Sequence, residues 1–322
     1  MLRYIVKRLL LFIPIILGIS FIVLILIDIT PGDPVAIMAG WDAKPEVIAQ
    51  VAADLRLDRP IVVRYFEFVT NALKGDFGKS FRNKRPVMTD ILSRFPYTAL
   101  LAFVSVVLSV LIGLPLGIYA ATHQYSWKDN TAIFATLILV SMPSFWLALL
   151  LVRVFSLGLG ITPVSGIQKW TSWILPMFSL AVGYAASIAR QARSNMLQVI
   201  REDYIVTARA KGQSERVVIY RHALKNACIP LIMTIGSLFG MALGGALVTE
   251  QIFSIPGLGQ YTITGLINVD YPAIQGSVLF MSIISCSIIL LIDIAFAFID
   301  PRIRSQYIRK KVKAIQVGGE GA

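Results

Sequence analysis

A chain of 322 residues with 56% hydrophobic residues, only 15% charged ones and a mean hydropathy of +0.73 has too few charges to cover a water-facing surface. Soluble domains run at about 45–50% apolar and about 25% charged, so disordered, fibrous and ordinary soluble proteins are excluded and a membrane protein is indicated. The net charge of +12, from 30 Lys+Arg against 18 Asp+Glu, fits nucleic-acid binding only if it lies on a water-exposed face.

Arg3, Lys7 and Arg8 precede an uncharged run from Leu9 to Ile27. The pattern has the shape of a secretory signal. The apolar part is long, however, and ends in Asp28-Ile29-Thr30-Pro31-Gly32-Asp33-Pro34 without a small-residue cleavage site. It reads as a retained first transmembrane helix. Residues 30–96 then form an external lobe. Pro45 to Leu55 has apolar residues at helical spacing, Pro60 opens a second amphipathic stretch through Leu73, and Gly75-Asp76-Phe77-Gly78 marks a turn. Gly78-Lys79-Ser80 has the ending of a phosphate loop. The loop's first glycine would fall at Leu73, and no apolar strand precedes it.

Five more uncharged runs follow: Phe95–Trp127, Asn130–Val152, Trp170–Ala189, Asn226–Thr249 and Tyr271–Ile292. A hydrocarbon core of about 30 Å takes about 20 helical residues, and all six runs meet or approach that length. The expected fold is an all-α integral membrane protein with six transmembrane helices and a small external lobe between helices 1 and 2. Its parts are 1–29 (tail and first helix), 30–96 (lobe), 97–300 (five-helix core) and 301–322 (cytoplasmic tail).

Few chemical groups lie in the spans. Gly113 and Gly117 flank Pro115, where a kink is expected. Gly236, Gly240 and Gly244 repeat every four residues on the fifth span; we read them as close helix packing, with a pathway lining as the functional alternative. Asp28, Arg153 and Glu250 fall at outer helix ends, within reach of the interface. Asp293 lies deepest and has no partner evident in the sequence, but a proton relay would show several such groups. Cys228 and Cys286 sit in apolar stretches, there is no CxxC, and His123 and His222 are far apart, so no disulfide framework or zinc site is expected.

Six spans put both termini on one side. The connection between spans four and five carries eight basic residues (Arg190, Arg193, Arg201, Arg209, Lys211, Arg216, Arg221 and Lys225), and the C-terminal tail carries six. The two short loops on the opposite side carry only Lys169. This asymmetry places both termini in the cytoplasm. The excess charge is then topology and lipid-headgroup contact, and the nucleic-acid reading loses its ground.

The stretch of about 194–225 is too polar to span and too patterned for a plain loop. Asp203 is expected to cap a short helix running to Lys211, Gly212 to end it in the left-handed conformation, and Ser214 to cap a second helix with Glu215 in its first turn. Such a bent unit on the cytoplasmic face fits a groove on another protein; the plainer alternative is a basic helix resting on headgroups.

Asp203-Tyr204-Ile205-Val206-Thr207-Ala208-Arg209-Ala210-Lys211-Gly212 followed by Arg221-His222-Ala223-Leu224-Lys225-Asn226 resembles the coupling segment of permease subunits of binding-protein-dependent ABC importers, in the peptide/nickel branch. That segment is the counterpart of the family's EAA motif. Gly212 matches the fixed glycine, while Val206-Thr207-Ala208 stands where Glu-Ala-Ala stands in the sugar and amino-acid branches. Thr30 to Pro34, Leu57-Asp58-Arg59-Pro60, Gly75 to Ser80, Phe253-Ser254-Ile255-Pro256-Gly257-Leu258-Gly259 and Asp270-Tyr271-Pro272 agree with the same branch. The large lobe is similar to that of the first of the two permeases such systems pair.

The resemblance implies a type I importer permease fold and a transport role without catalysis. It implies a second permease subunit, two ATPase subunits that carry the ATP and magnesium, and an extracytoplasmic solute-binding protein. No cofactor or metal is implied in this chain. Asp203, Tyr204, Thr207, Ala208, Arg209, Ala210, Lys211, Gly212, Glu215, Arg221 and His222 would couple to an ATPase. Glu250, Pro256, Gly257 and Asp270 would serve an external gate or binding-protein contact. The implied solutes are di- and oligopeptides, with nickel chelates or other small solutes as the alternative. The rival class, a self-contained secondary transporter, would show coupling groups near the midplane in repeated halves, and neither is evident. A membrane-embedded enzyme would need a catalytic cluster that the sequence lacks.

Overall fold

The computed structural model describes residues 2–29 and 59–299, with Val35, 44–46 and 48–49 between them. Most of the expected 45–55 helix, the Thr30–Pro34 turn, Leu57-Asp58 and the 301–322 tail lie outside the described residues. Among the described residues the chain is helical. In order these are α1 (Leu2–Ile29), α2 (Ile61–Ala72), α3 (Val87–Thr122), α4 (Trp127–Ser141), α5 (Ser144–Leu151, continued by a π-helical turn Val152–Gly158) and α6 (Ile174–Ile200). They are followed by α7 (Asp203–Ala210), α8 (Leu224–Gly245), α9 (Leu247–Ile252), α10 (Leu258–Ile267) and α11 (Tyr271–Ile299).

Among the described residues five helices are long and apolar enough to cross a membrane, and α4 with α5 passes the same test as a pair bent by 98°, which makes six if the pair is one span. The sequence led us to expect one span over Asn130–Val152. Pro143 breaks it. The ring denies Met142 the helical region and removes a backbone donor, and Met142 is extended (φ −79°, ψ 125°). By contrast α3 runs unbroken through both Pro96 and Pro115.

The packing follows the small residues. The most extensive contact is between α3 and α6. There a Cβ on Gly113 or Gly117 would overlap the carbonyls of Ala185 and Ala189 on α6. Gly236 and Gly240 of α8 lie against Ile292 and Ile289 of α11, whereas a Cβ added to Gly244 would meet no neighbouring element within 4 Å. Packing therefore accounts for two of the three glycines of that repeat. α1 lies against the outside of α11 and leaves Leu10, Ile13 and Ile22 more than half exposed, a surface that suits lipid.

Three further expectations change. Helix α3 starts at Val87, inside the region assigned to the lobe. Helix α6 continues past Ala189 to Ile200 and carries Arg190 and Arg193. Asp293 is not alone: Arg8 of α1 pairs with it at 2.7 Å. At the other end of α1, Asp28 pairs with Arg64 of α2 at 2.7 Å. The lobe helix and turn appear where expected, with Gly75 and Gly78 both at φ +81°.

Candidate functional site

The bent unit at 203–223 is built on a buried apolar seam. Ile205 and Ala208 of α7 pack with Ile118 and Ala121 of α3, Met196 of α6, and Val218, Ala223 and Ala227 beyond the bend. Glu202, not Asp203, occupies the cap position of α7; its backbone is extended and no side chain bonds the first turn. Asp203 is the first helical residue, where its charge still suits the positive end of the helix dipole. Gly212 has φ +75° and donates its N–H to the Arg209 carbonyl (2.9 Å). A side chain in that conformation costs about 1–2 kcal/mol.

Across the bend the Arg209 guanidinium clasps Glu215, with Nη2 to Oε1 at 2.6 Å and Nε to Oε2 at 3.1 Å. That hydrogen bond raises the pKa of Arg209 further, so it stays charged. Asn226 Nδ2 donates to Tyr204 Oη (2.7 Å), and Thr207 Oγ1 donates to the Asp203 carbonyl (2.9 Å). Ser214 has cap geometry without a side-chain bond, and the helix it opens is not separate. Glu215–Val217 passes through a π-helical turn (Val218–Ala223) directly into α8. The unit is thus one short helix joined through the Gly212 bend, and clasped across it by Arg209 and Glu215, to the cytoplasm-assigned end of a transmembrane helix.

Asp203, Tyr204, Thr207, Arg209, Ala210, Lys211, Gly212, Glu215 and Arg221 are exposed, as is Val206, and His222 is half-buried. Ala208 differs from expectation. It faces the bundle at 7% exposure and holds α7 down rather than meeting a partner. Beside the unit runs a groove of about 1090 Å³ lined by Leu114, Tyr119, Glu215, Tyr220 and Leu224 among others.

An ion pair missed in the sequence lies close by. Arg193 of α6 donates Nε and Nη2 to the two carboxylate oxygens of Asp129, both at 2.7 Å, and Asp129 is 1% exposed. Asp129 also accepts the Tyr125 N–H (3.1 Å), while Ser126 caps α4 by accepting the Asp129 N–H. The Ser126-x-x-Asp129 spacing was a readable capping signal.

At the opposite end, Glu250 was expected to reach the interface. It is fully buried instead. Thr98 Oγ1 of α3 donates to its Oε1 (2.6 Å), Gln260 N–H donates to its Oε2 (2.9 Å), and Leu258 N–H donates to Thr98 Oγ1 (2.8 Å). A Cβ on Gly257 would collide with the Glu250 carboxylate, and one on Gly259 would lie 2.6 Å from Leu247 Cα. The glycines are there because the carboxylate is. Pro256 is half-buried beside them. Asp270 is also buried, accepting from Ser80 Oγ (2.5 Å) and from the Phe81 N–H (2.9 Å), which fastens the lobe to the last outer loop. Gly78-Lys79-Ser80 thus serves this contact. Buried Glu250 and Asp270 organise the outer cap; neither presents a surface to a partner. Among the described residues no group of three His, Cys, Asp or Glu could hold a metal ion.

Comparison with known proteins shows the family. Residues 113–305 match the family described as binding-protein-dependent transport system inner membrane component, and residues 1–102 match the N-terminal family of the same membrane components. The glutathione transport system permease protein GsiC of Salmonella choleraesuis is 40% identical over 304 residues, covering 94% of this chain and 99% of that one. The Escherichia coli protein of the same name shows the same identity and coverage. Among solved structures, an inward-facing MetNI methionine ABC transporter superposes with a TM-score of 0.55 at 21% identity over 68% of this chain and 96% of that chain, which supports the fold. The chain therefore belongs to the permease family of binding-protein-dependent ABC importers, as a multi-pass membrane transport subunit and not an enzyme.

Proposed function

We propose that the chain forms, with a second permease, the translocation path for di- or oligopeptides delivered by an extracytoplasmic solute-binding protein. Two ATPase subunits carrying ATP and magnesium attach to the face bearing α7. Both termini lie in the cytoplasm. The solute reading draws on the 40% identity to a glutathione permease, glutathione being itself a small peptide. The observation that carries the coupling role is the α7–Gly212 unit. Its inner face (Ile205, Ala208) is locked to three transmembrane helices, while its outer face (Tyr204, Val206, Thr207, Lys211) is exposed. A rigid element fixed to α8 and open on one side passes a partner's movement to the bundle by contact.

The test is purification from detergent followed by reconstitution. ATPase subunits are expected to copurify, and peptide uptake is expected only with ATP and the binding protein. Gradient-driven uptake by the purified chain alone would instead establish the secondary-transporter class.

A further inference from the structure

A cavity of about 250 Å³ lies at the lobe end of the molecule, between the 80–83 turn, the first turns of α3, and α10. Its charges are unevenly engaged. Asp270, on its wall, already accepts from Ser80 Oγ and the Phe81 N–H, and longer contacts come from the Arg82 and Ala273 N–H groups (both 3.4 Å). Asp90, just behind, accepts from Asn83 Nδ2 (2.8 Å) and lies 3.8 Å from Arg85.

The cations are less engaged, although Arg94 also feels the buried Glu250 carboxylate at longer range. Arg94 lies over the Tyr261 ring at 4.9 Å, and no carboxylate comes within ion-pair distance of it or of Arg82 among the described residues. Burial, reinforced by Asp90 and Asp270, pushes the Tyr261 phenol up, so the platform under Arg94 stays neutral. Thr264 also lines the cavity. A guanidinium fixed on an aromatic face, beside a threonine and with its nearby acids already bonded, suits a planar carboxylate. The volume admits one small residue.

We propose that this cavity binds a free carboxylate of the transported solute, with Arg94 as its main ligand and Arg82 and Thr264 as supporting donors. This rests on the peptide reading above and adds a chemical requirement to it: an unblocked carboxylate recognised on the lobe side, before the bundle is entered.

The test is calorimetric titration of the whole importer complex in lipid nanodiscs, without the binding protein. The probes are N-acetylalanine, its amide and inorganic phosphate. N-acetylalanine is expected to bind, the amide to bind at least tenfold more weakly, and phosphate not to compete. Arg94→Gln is expected to lose at least tenfold, Arg94→Lys less, and Thr264→Val a few-fold, with each complex eluting intact with its ATPases. Equal binding of acid and amide, unchanged binding in Arg94→Gln, or equal competition by phosphate would overturn the proposal. Because the readout is binding and not uptake, a failure here is separate from a failure of peptide transport, which the uptake assay scores by itself.

Discussion

At the scale of single residues, two buried carboxylates govern the ends of the molecule. Glu250 joins α3, α9 and the 257–260 turn through Thr98 and Gln260. Glu250→Ala leaves two donors without an acceptor, and each orphaned buried group costs about 1–3 kcal/mol. The variant is expected to unfold at a clearly lower temperature in detergent and to exchange the 255–260 amides faster. Glu250→Gln keeps one acceptor and should lose less. Gly257→Ala should destabilise by a collision with the same carboxylate, and combining it with Glu250→Ala should cost less than the sum; strict additivity would contradict the cradle. At the α7 end, removing one partner of a buried ion pair costs about 3–5 kcal/mol. Asp129→Ala should approach the lower figure because Arg193 keeps some access to water, measured by thermal unfolding of the same complex. None of these partnerships was legible in the chain. Glu250 and Thr98 are 152 residues apart, and Asp129 and Arg193 are 64 apart, so only the fold brings them together.

At the scale of elements, hydrophobic runs located the spans but not their ends. Charge-free counting stopped the fourth span at Ala189, because Arg190 and Arg193 were read as loop. The backbone carries the helix to Ile200, since Arg193 meets Asp129 and escapes lipid. The break in the third span was written in Met142-Pro143, and hydropathy alone passed over it. The glycines now separate by contact. Gly117→Val should disrupt α3 against α6, where a Cβ would stand 2.5 Å from the Ala189 carbonyl. Gly236→Ala should cost less, because the flexible Ile292 side chain can yield, and Gly244→Ala should be near neutral. Melting temperatures of the three variants in one detergent check that order. The two-helix reading of 203–225 was right about Gly212 and wrong about independence, because no sequence signal showed the second helix fusing with α8.

At the scale of the whole molecule, the described basic residues are distributed unevenly along the bundle. The basic connection holding Arg209 and Lys211 lies at one end of the bundle, and the lobe with the 250–270 loop lies at the other. In intact cells, a membrane-impermeant maleimide is expected to label Leu73→Cys but not Val206→Cys, with Cys228 and Cys286 replaced. Leu73 and Val206 are 82% and 55% exposed in the chain by itself; labelling of Val206→Cys in permeabilised cells expressing the permease without its ATPases separates sidedness from cover by a partner. The central claim is that movement passes through the fixed bend at Gly212. The most direct measurement is ATP hydrolysis and peptide uptake in the same proteoliposomes for Gly212→Pro, which removes the N–H bonded to Arg209 and forbids φ +75°. We predict an inserted, ATPase-bound complex that still hydrolyses ATP and has lost uptake. Uptake at the normal rate would contradict the account.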